Sequence, residues 1–144
     1  MKVSTKGEYA LRALLVLAQN PNQVIAISEL SHKTLVTVQY LEKILLQLKK
    51  MNYVDSKRGL QGGYFLKSPP ENIFIGEVIR YLEGPLAPMS CASVTAYEPC
   101  ELEETCLLKP LWMLVREVVA YVLDQTTLDD LIKGNLQKSS FQIY

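Results

Sequence analysis

The sequence is poor in the residues on which most enzymes build their chemistry. It has one histidine, His32, and no Gly-x-Ser-x-Gly elbow, phosphate-cradling glycine loop or histidine cluster at metal-ligand spacing. These gaps argue against catalysis. No apolar run approaches the roughly 18 residues of a membrane span. The most apolar N-terminal stretch, Ala13 to Ala18, is short and follows Glu8 and Arg12, so no secretory leader is expected. The expected compartment is the cytoplasm, where thiols stay reduced. Three cysteines, an odd number, argue against a disulfide framework. What remains is a chain of 144 residues, 49% hydrophobic, enough for one domain with a real core.

Net charge is also lacking, with 15 basic and 15 acidic side chains, but their distribution is uneven. Residues 1–68 hold ten Lys or Arg and four Asp or Glu, about +6, which leaves about −6 for the rest. A basic half is the electrostatic footprint of a polyanion partner. It is equally compatible with a solvated face until a motif is found there.

The hydrophobic pattern supplies one. Residues 5–19 read as a helix that is apolar nearly all round, hence buried, and Asn20-Pro21-Asn22 breaks it. Ser28 is positioned to cap a short helix, Glu29 to Lys33. After a turn at Thr34 to Val36, Thr37 caps a third helix through about Met51. There Val38, Leu41, Ile44, Leu45 and Leu48 form one face, and Gln39, Tyr40, Glu42, Lys43, Gln47, Lys49 and Lys50 the other. This is a helix-turn-helix arrangement. Two short strands, 53–57 and 64–67, flank a glycine-containing loop from Arg58 to Gly63 and form a wing. A fourth helix follows from about Gly76 to Glu83.

Residues 84–106 lose periodicity and hold all three cysteines, in the spacing C-x8-C-x5-C: Cys91, Cys100 and Cys106. Thiolates are soft ligands that suit an iron–sulfur cluster or zinc, although the tight cysteine pair usual for zinc is missing. A redox thiol set and inert thiols stay open as readings. Beyond the loop, Leu108, Leu111, Val115, Val118 and Val122 repeat at 3, 4, 3, 4 on a helix of about 17 residues. Such a seam suggests a dimer interface, and a dimer suits paired DNA half-sites. Asp129 begins a short last helix that stops near Gly134.

Several stretches together make the chain resemble the IscR/NsrR-type family of bacterial winged-helix regulators. They are residues 1–10, Val38-Gln39-Tyr40-Leu41-Glu42, 57–64 (KRGLQGGY), Ile75-Gly76-Glu77-Val78-Ile79, and Cys106-Leu107 followed by Leu111-Trp112. The resemblance covers residues 1 to about 134. It implies a mainly α fold with a small β-hairpin wing, a winged helix-turn-helix domain over 1–70, and a cysteine loop with a long dimerisation helix over 71–134. Residues 135–144 are expected to form a flexible tail.

The resemblance further implies a homodimer on a double-stranded operator, with a 2Fe–2S or 4Fe–4S cluster held by Cys91, Cys100 and Cys106. Eight residues between the first two cysteines exceed the spacing of the best-known branch. That branch also has a histidine ligand where this chain has Lys109, and a protonated ammonium cannot ligate iron. Glu8 is the candidate for the fourth ligand, against an ordinary first-turn acid that favours the helix dipole. His32 and the loop glutamates are read as surface residues.

For DNA, the family pattern points to Gln39, Tyr40 and Glu42 on the recognition helix and Arg58 on the wing. Glu42 can accept from cytosine N4, and Arg58 can enter a narrow minor groove. Lys49, Lys50 and Lys57 are expected on phosphates. The expected function is a dimeric repressor that senses iron, redox or nitric oxide state through the cluster. Alternatives are a cluster-free regulator controlled by thiol oxidation, a small molecule or a protein partner, and a cluster carrier that does not bind DNA.

Overall fold

The computed structural model describes residues 2–136 and 141, so most of the expected tail at 135–144 lies outside the described residues. In chain order the elements are α1 (Thr5–Gln19), α2 (Ile27–Thr34), α3 (Val38–Lys50), β1 (Val54–Lys57), β2 (Gly63–Leu66), α4 (Ile75–Glu83), α5 (Lys109–Gln125) and α6 (Leu128–Lys133). The architecture is the expected one: mostly helical, with one antiparallel hairpin among the described residues, in which Val54 pairs with Leu66 and Lys57 with Gly63.

Helix α1 is the central element and packs on α2, α3, α4, α6 and β2. Its buried face is Ala10, Ala13, Leu14, Leu17 and Ala18, while Tyr9, Leu11 and Leu15 stay half-exposed, so it is buried along one face and not all round. Ser4 caps it, with its hydroxyl accepting from Gly7 N–H at 3.2 Å. The same serine donates from N and Oγ to Glu83 Oε1, at 2.6 and 2.5 Å, and ties the start of α1 to the end of α4. Leu30, Leu41, Leu45 and Leu48 complete the core from α2 and α3, each fully buried leucine contributing about 1.5–3 kcal/mol.

Thr37 caps α3 as expected, accepting from Tyr40 N–H at 3.3 Å. The expected Ser28 cap is not formed. Helix α2 begins at Ile27, a residue packed on the core, with Ala26 at the N-cap and no side-chain cap bond, so Ser28 sits inside the first turn. Side-chain burial, not capping, sets this start.

The wing is joined to the helices through backbone. Ile25 and Tyr64 exchange two N–H···O bonds, both 2.8 Å, which bring β2 beside the entry to α2. A Cβ on Gly63 would collide with the Ile25 carbonyl and Ala26 N. Gly63→Ala is therefore expected to destabilise the fold by about 2 kcal/mol, the usual cost of overpacking against backbone. Urea unfolding measures it, and an unchanged midpoint would show that the wing shifts freely. On the far side, the hydroxyl of Tyr53, the residue before β1, donates to Glu77 Oε2 on α4 at 3.1 Å. Burial, and then this carboxylate, push the phenol well above its ordinary range.

Helix α5 stands apart from this core. It runs for 17 residues and none of them is fully buried. It leans on α4, where Arg80 makes a two-pronged ion pair with Asp124, at 2.5 and 2.8 Å. The chain then returns: Leu128 N–H donates to Ile73 O at 2.9 Å, and Leu128 is fully buried in the main core. Helix α6 is closed by a capping box between Thr127 and Asp130, with Gly134 left-handed at its end.

Candidate nucleic-acid interface and cysteine loop

Two groups of residues stand out, one on the basic face of the helix-turn-helix and one on the loop before α5. The turn between α2 and α3 is rigid. Leu35 takes a left-handed conformation at φ +58°, the Ser31 hydroxyl donates to Val36 O at 2.5 Å, and Arg12 Nη1 donates to Thr34 O at 3.2 Å. With the turn fixed, α3 turns Leu41, Ile44, Leu45 and Leu48 inward and leaves Gln39, Glu42, Lys43, Leu46 and Lys50 exposed.

The sequence-derived residues fall into different positions. Gln39, Glu42 and Lys50 lie on the outer face of α3 as expected, and Lys57 and Arg58 are exposed at the start of the wing turn. Among the described residues, Lys43 and Lys50 on α3 and Lys57 and Arg58 on the wing are exposed and have no ion-pair partner. Lys49 is different: its ammonium donates to Ser56 Oγ at 2.8 Å and sits 3.4 Å from Asp55, so it braces α3 against β1. Tyr40 is half-buried, and its ring meets Tyr9 edge-on with centroids 5.6 Å apart. Lys43 and Leu46 were not picked out from sequence as interface residues. The signal was available, since Gln39, Lys43, Leu46 and Lys50 follow helical spacing along one stripe.

Glu8 is exposed on α1 and pairs with Arg12 Nη2 at 2.6 Å. Arg12 lies 5.2 Å from the Tyr9 ring centroid, besides holding Thr34 O. Glu8, Arg12, Tyr9 and Tyr40 thus form one contact chain from α1 to the recognition helix.

The loop is held by side chains. Glu103 accepts from Tyr97 Oη at 2.7 Å, from Cys100 N–H at 3.3 Å, and from the Lys109 ammonium, which lies 5.7 Å from the Tyr97 ring centroid. The Lys109 bond first, and Tyr97 second, lower the Glu103 carboxyl to about 2. Arg116 on α5 donates to Ala92 O, beside Cys91, at 2.7 Å. All three cysteines are free; Cys100 is exposed, and Cys91 and Cys106 are half-buried.

Three thiols in one loop are chemically suited to a cluster. Their placement is not: among the described residues no group of three or more His, Cys, Asp or Glu stands together to hold a metal ion. Glu8 is engaged by Arg12, and Lys109 by Glu103. As placed, these residues do not fit a cluster.

Of the expected seam, Leu108, Leu111 and Val118 are exposed and Val115 and Val122 half-buried. Leu107 before α5, with Leu114 and Tyr121 on it, is exposed too, so that Leu107, Leu111, Leu114, Val118 and Tyr121 follow a 4, 3, 4, 3 spacing. Leu111, Leu114 and Val118 show 47, 58 and 43% of their surface. No helix among the described residues is long and apolar enough to cross a membrane.

Comparison with known proteins gives a consistent result. Residues 3–134 match the family model described as Rrf2, iron-dependent transcriptional regulator. The chain is 37% identical over 135 residues to the HTH-type transcriptional regulator CymR of Bacillus subtilis, covering 91% of this chain and 89% of that one. It is 35% identical over 133 residues to NsrR of Bacillus licheniformis, covering 92% of each. The solved structure of CymR, the global cysteine regulator of B. subtilis, superposes with a TM-score of 0.76 at 35% identity, over 93% of this chain and 98% of that one.

Proposed function

This chain belongs to the Rrf2 family of transcriptional regulators, and from that membership we propose that it is a homodimeric repressor acting on operator DNA in the cytoplasm. It is a regulator and not an enzyme. The observation that carries the reading is that Gln39, Glu42, Lys43 and Lys50 on α3, and Lys57 and Arg58 on the wing packed beside it, are all exposed. Gln39 and Glu42 read base edges in the major groove, Lys43, Lys50 and Lys57 contact phosphate, and Arg58 enters the minor groove. The exposed apolar stripe of α5 is covered by a second copy of the chain, which presents two such faces to two half-sites.

Control passes through the cysteine loop. The loop is bonded to α5 by Arg116 and Lys109, α5 to α4 by Arg80, and α4 to α1 and the wing by Glu83 and Glu77. A change in the loop therefore alters how α5 sits against each DNA-binding face. An effector that favours one such arrangement changes operator affinity.

DNA binding is tested by titrating the protein against a duplex enriched from a random library. If three lysines per chain contact phosphate, a dimer loses about 10³ in affinity between about 50 and 200 mM salt. A salt-independent or absent interaction would overturn the reading.

A second reading concerns the effector: Cys91, Cys100 and Cys106, with Glu8, hold an iron–sulfur cluster. It is favoured by three free thiols within one loop, in a chain that matches an iron-dependent family. It requires the three thiols to gather, which as placed they do not. Anaerobic purification followed by visible absorption and iron analysis decides it. Cysteine-dependent absorbance, lost in Cys100→Ala, supports the cluster. A protein still colourless after reconstitution leaves the thiols themselves, or another ligand, as the control element.

A further inference from the structure

We propose that Leu60, at the tip of the wing, is an apolar wedge that enters the DNA minor groove beside Arg58 and opens a base step there. This gives the protein a preference for deformable sequence at a position where it reads no base edge. The proposal rests on the DNA-binding reading above.

The wing turn is built to present this side chain. Gly62 N–H donates to Gly59 O at 3.0 Å and closes a tight turn with Leu60 and Gln61 at its two central positions. Gly59 takes φ +112°, a conformation that only glycine adopts without strain. A Cβ on Gly62 would collide with the Lys57 carbonyl, so the two arms of the turn approach as closely as backbone permits. The result is a narrow tip in which residues 57–61 are all exposed.

Leu60 is the most exposed large hydrophobic residue among those described, at 109% of its reference surface. Central turn positions are ordinarily filled by Gly, Pro, Asn, Asp or Ser, each for a backbone reason that leucine does not meet. Leu60 packs against no part of the hydrophobic core. The fold gains nothing from it.

Its surroundings indicate the partner. Lys57 and Arg58 are exposed beside it and, among the described residues, carry no ion pair. A single apolar side chain in a cationic setting is poorly suited to an apolar protein surface, which needs a contiguous patch. It is well suited to the minor groove, about 6 Å wide, which admits the side chains of a hairpin tip but not its body. Leucine is among the side chains that wedge between base steps from this groove, and pyrimidine–purine steps open most readily.

The test uses the full chain and a duplex enriched by the wild-type protein, together with variants carrying TA or AT, equal in composition, at the step under the wing. Leu60→Ala keeps the turn and removes the wedge. It is expected to bind on the order of tenfold more weakly, with an unchanged salt slope, a smaller DNA bend in circular-permutation electrophoresis and no preference for TA over AT. Leu60→Met is expected to restore all three. Wild-type affinity, bend and step preference in Leu60→Ala would overturn the wedge and leave DNA binding standing. If the wild-type protein enriches no duplex, the DNA-binding reading falls and the wedge with it.

Discussion

Replacing Leu114 and Val118 together with aspartate is expected to yield a monomer in sedimentation velocity and to lower operator affinity by at least about a hundredfold. Both side chains lie mid-way along the exposed stripe of α5, a helix none of whose residues is fully buried. In a dimer the two aspartates would meet apolar partners, and an unpaired charge taken out of water costs several kcal/mol. Once the chains separate, each half-site is bound alone and the second contact is no longer intramolecular. That coupling is commonly worth about 10²–10⁴ in affinity. Because the residues are exposed in the single chain, the variant keeps its helical content, and circular dichroism checks that the fold survives. A variant that still sediments as a dimer would place the interface elsewhere.

The next largest effect is expected at Arg58. Loss of a guanidinium from the minor groove costs roughly 1–3 kcal/mol per site, and a dimer loses two. Arg58→Ala should therefore weaken binding by about thirtyfold or more, lower the salt slope, and relax discrimination between A·T and G·C pairs under the wing. Arg58→Lys should recover the salt slope but not the discrimination, since an ammonium keeps the charge and loses the planar fork. These two variants separate electrostatic anchoring from groove reading. Unchanged affinity in Arg58→Ala would remove the wing from the interface.

The elements with strong periodicity or clear caps were legible in the sequence. Helix α1 at 5–19, the Thr37 cap on α3 and the 17-residue length of α5 follow from side-chain spacing and capping chemistry that need no knowledge of tertiary contacts. What escaped depends on neighbours distant in sequence. Ser28 has the right chemistry for a cap, but Ile27 packs on the core and the helix already starts there, one residue before Ser28. A heptad count cannot say which of two adjacent stripes meets the rest of the same chain. On α5, which packs on α4, Val115 and Val122 are half-buried while Leu114 and Tyr121 are exposed.

The candidate site shows the same division. Arg58, Lys57, Gln39 and Glu42 are exposed where a helix-turn-helix reading places them. Lys49 also pairs with Asp55 and Ser56 on β1, across the α3–β1 turn, which composition does not reveal. Lys109 was recognisable as a residue that cannot ligate iron, yet its partnership with Glu103 and Tyr97 emerges only when the loop folds back. Nothing in the sequence singles out Leu60, and only its full exposure shows that the fold makes no use of it.

The central claim is that two copies of this chain, joined through α5, grip DNA with paired recognition helices and wings. A hydroxyl-radical footprint on the library-enriched duplex tests it most directly. The expected pattern is two-fold symmetric, with two protected half-sites centred roughly one helical turn, about 10 base pairs, apart, and minor-groove protection where the wings reach. A single asymmetric protected patch, or uniform cleavage along the duplex, would contradict it.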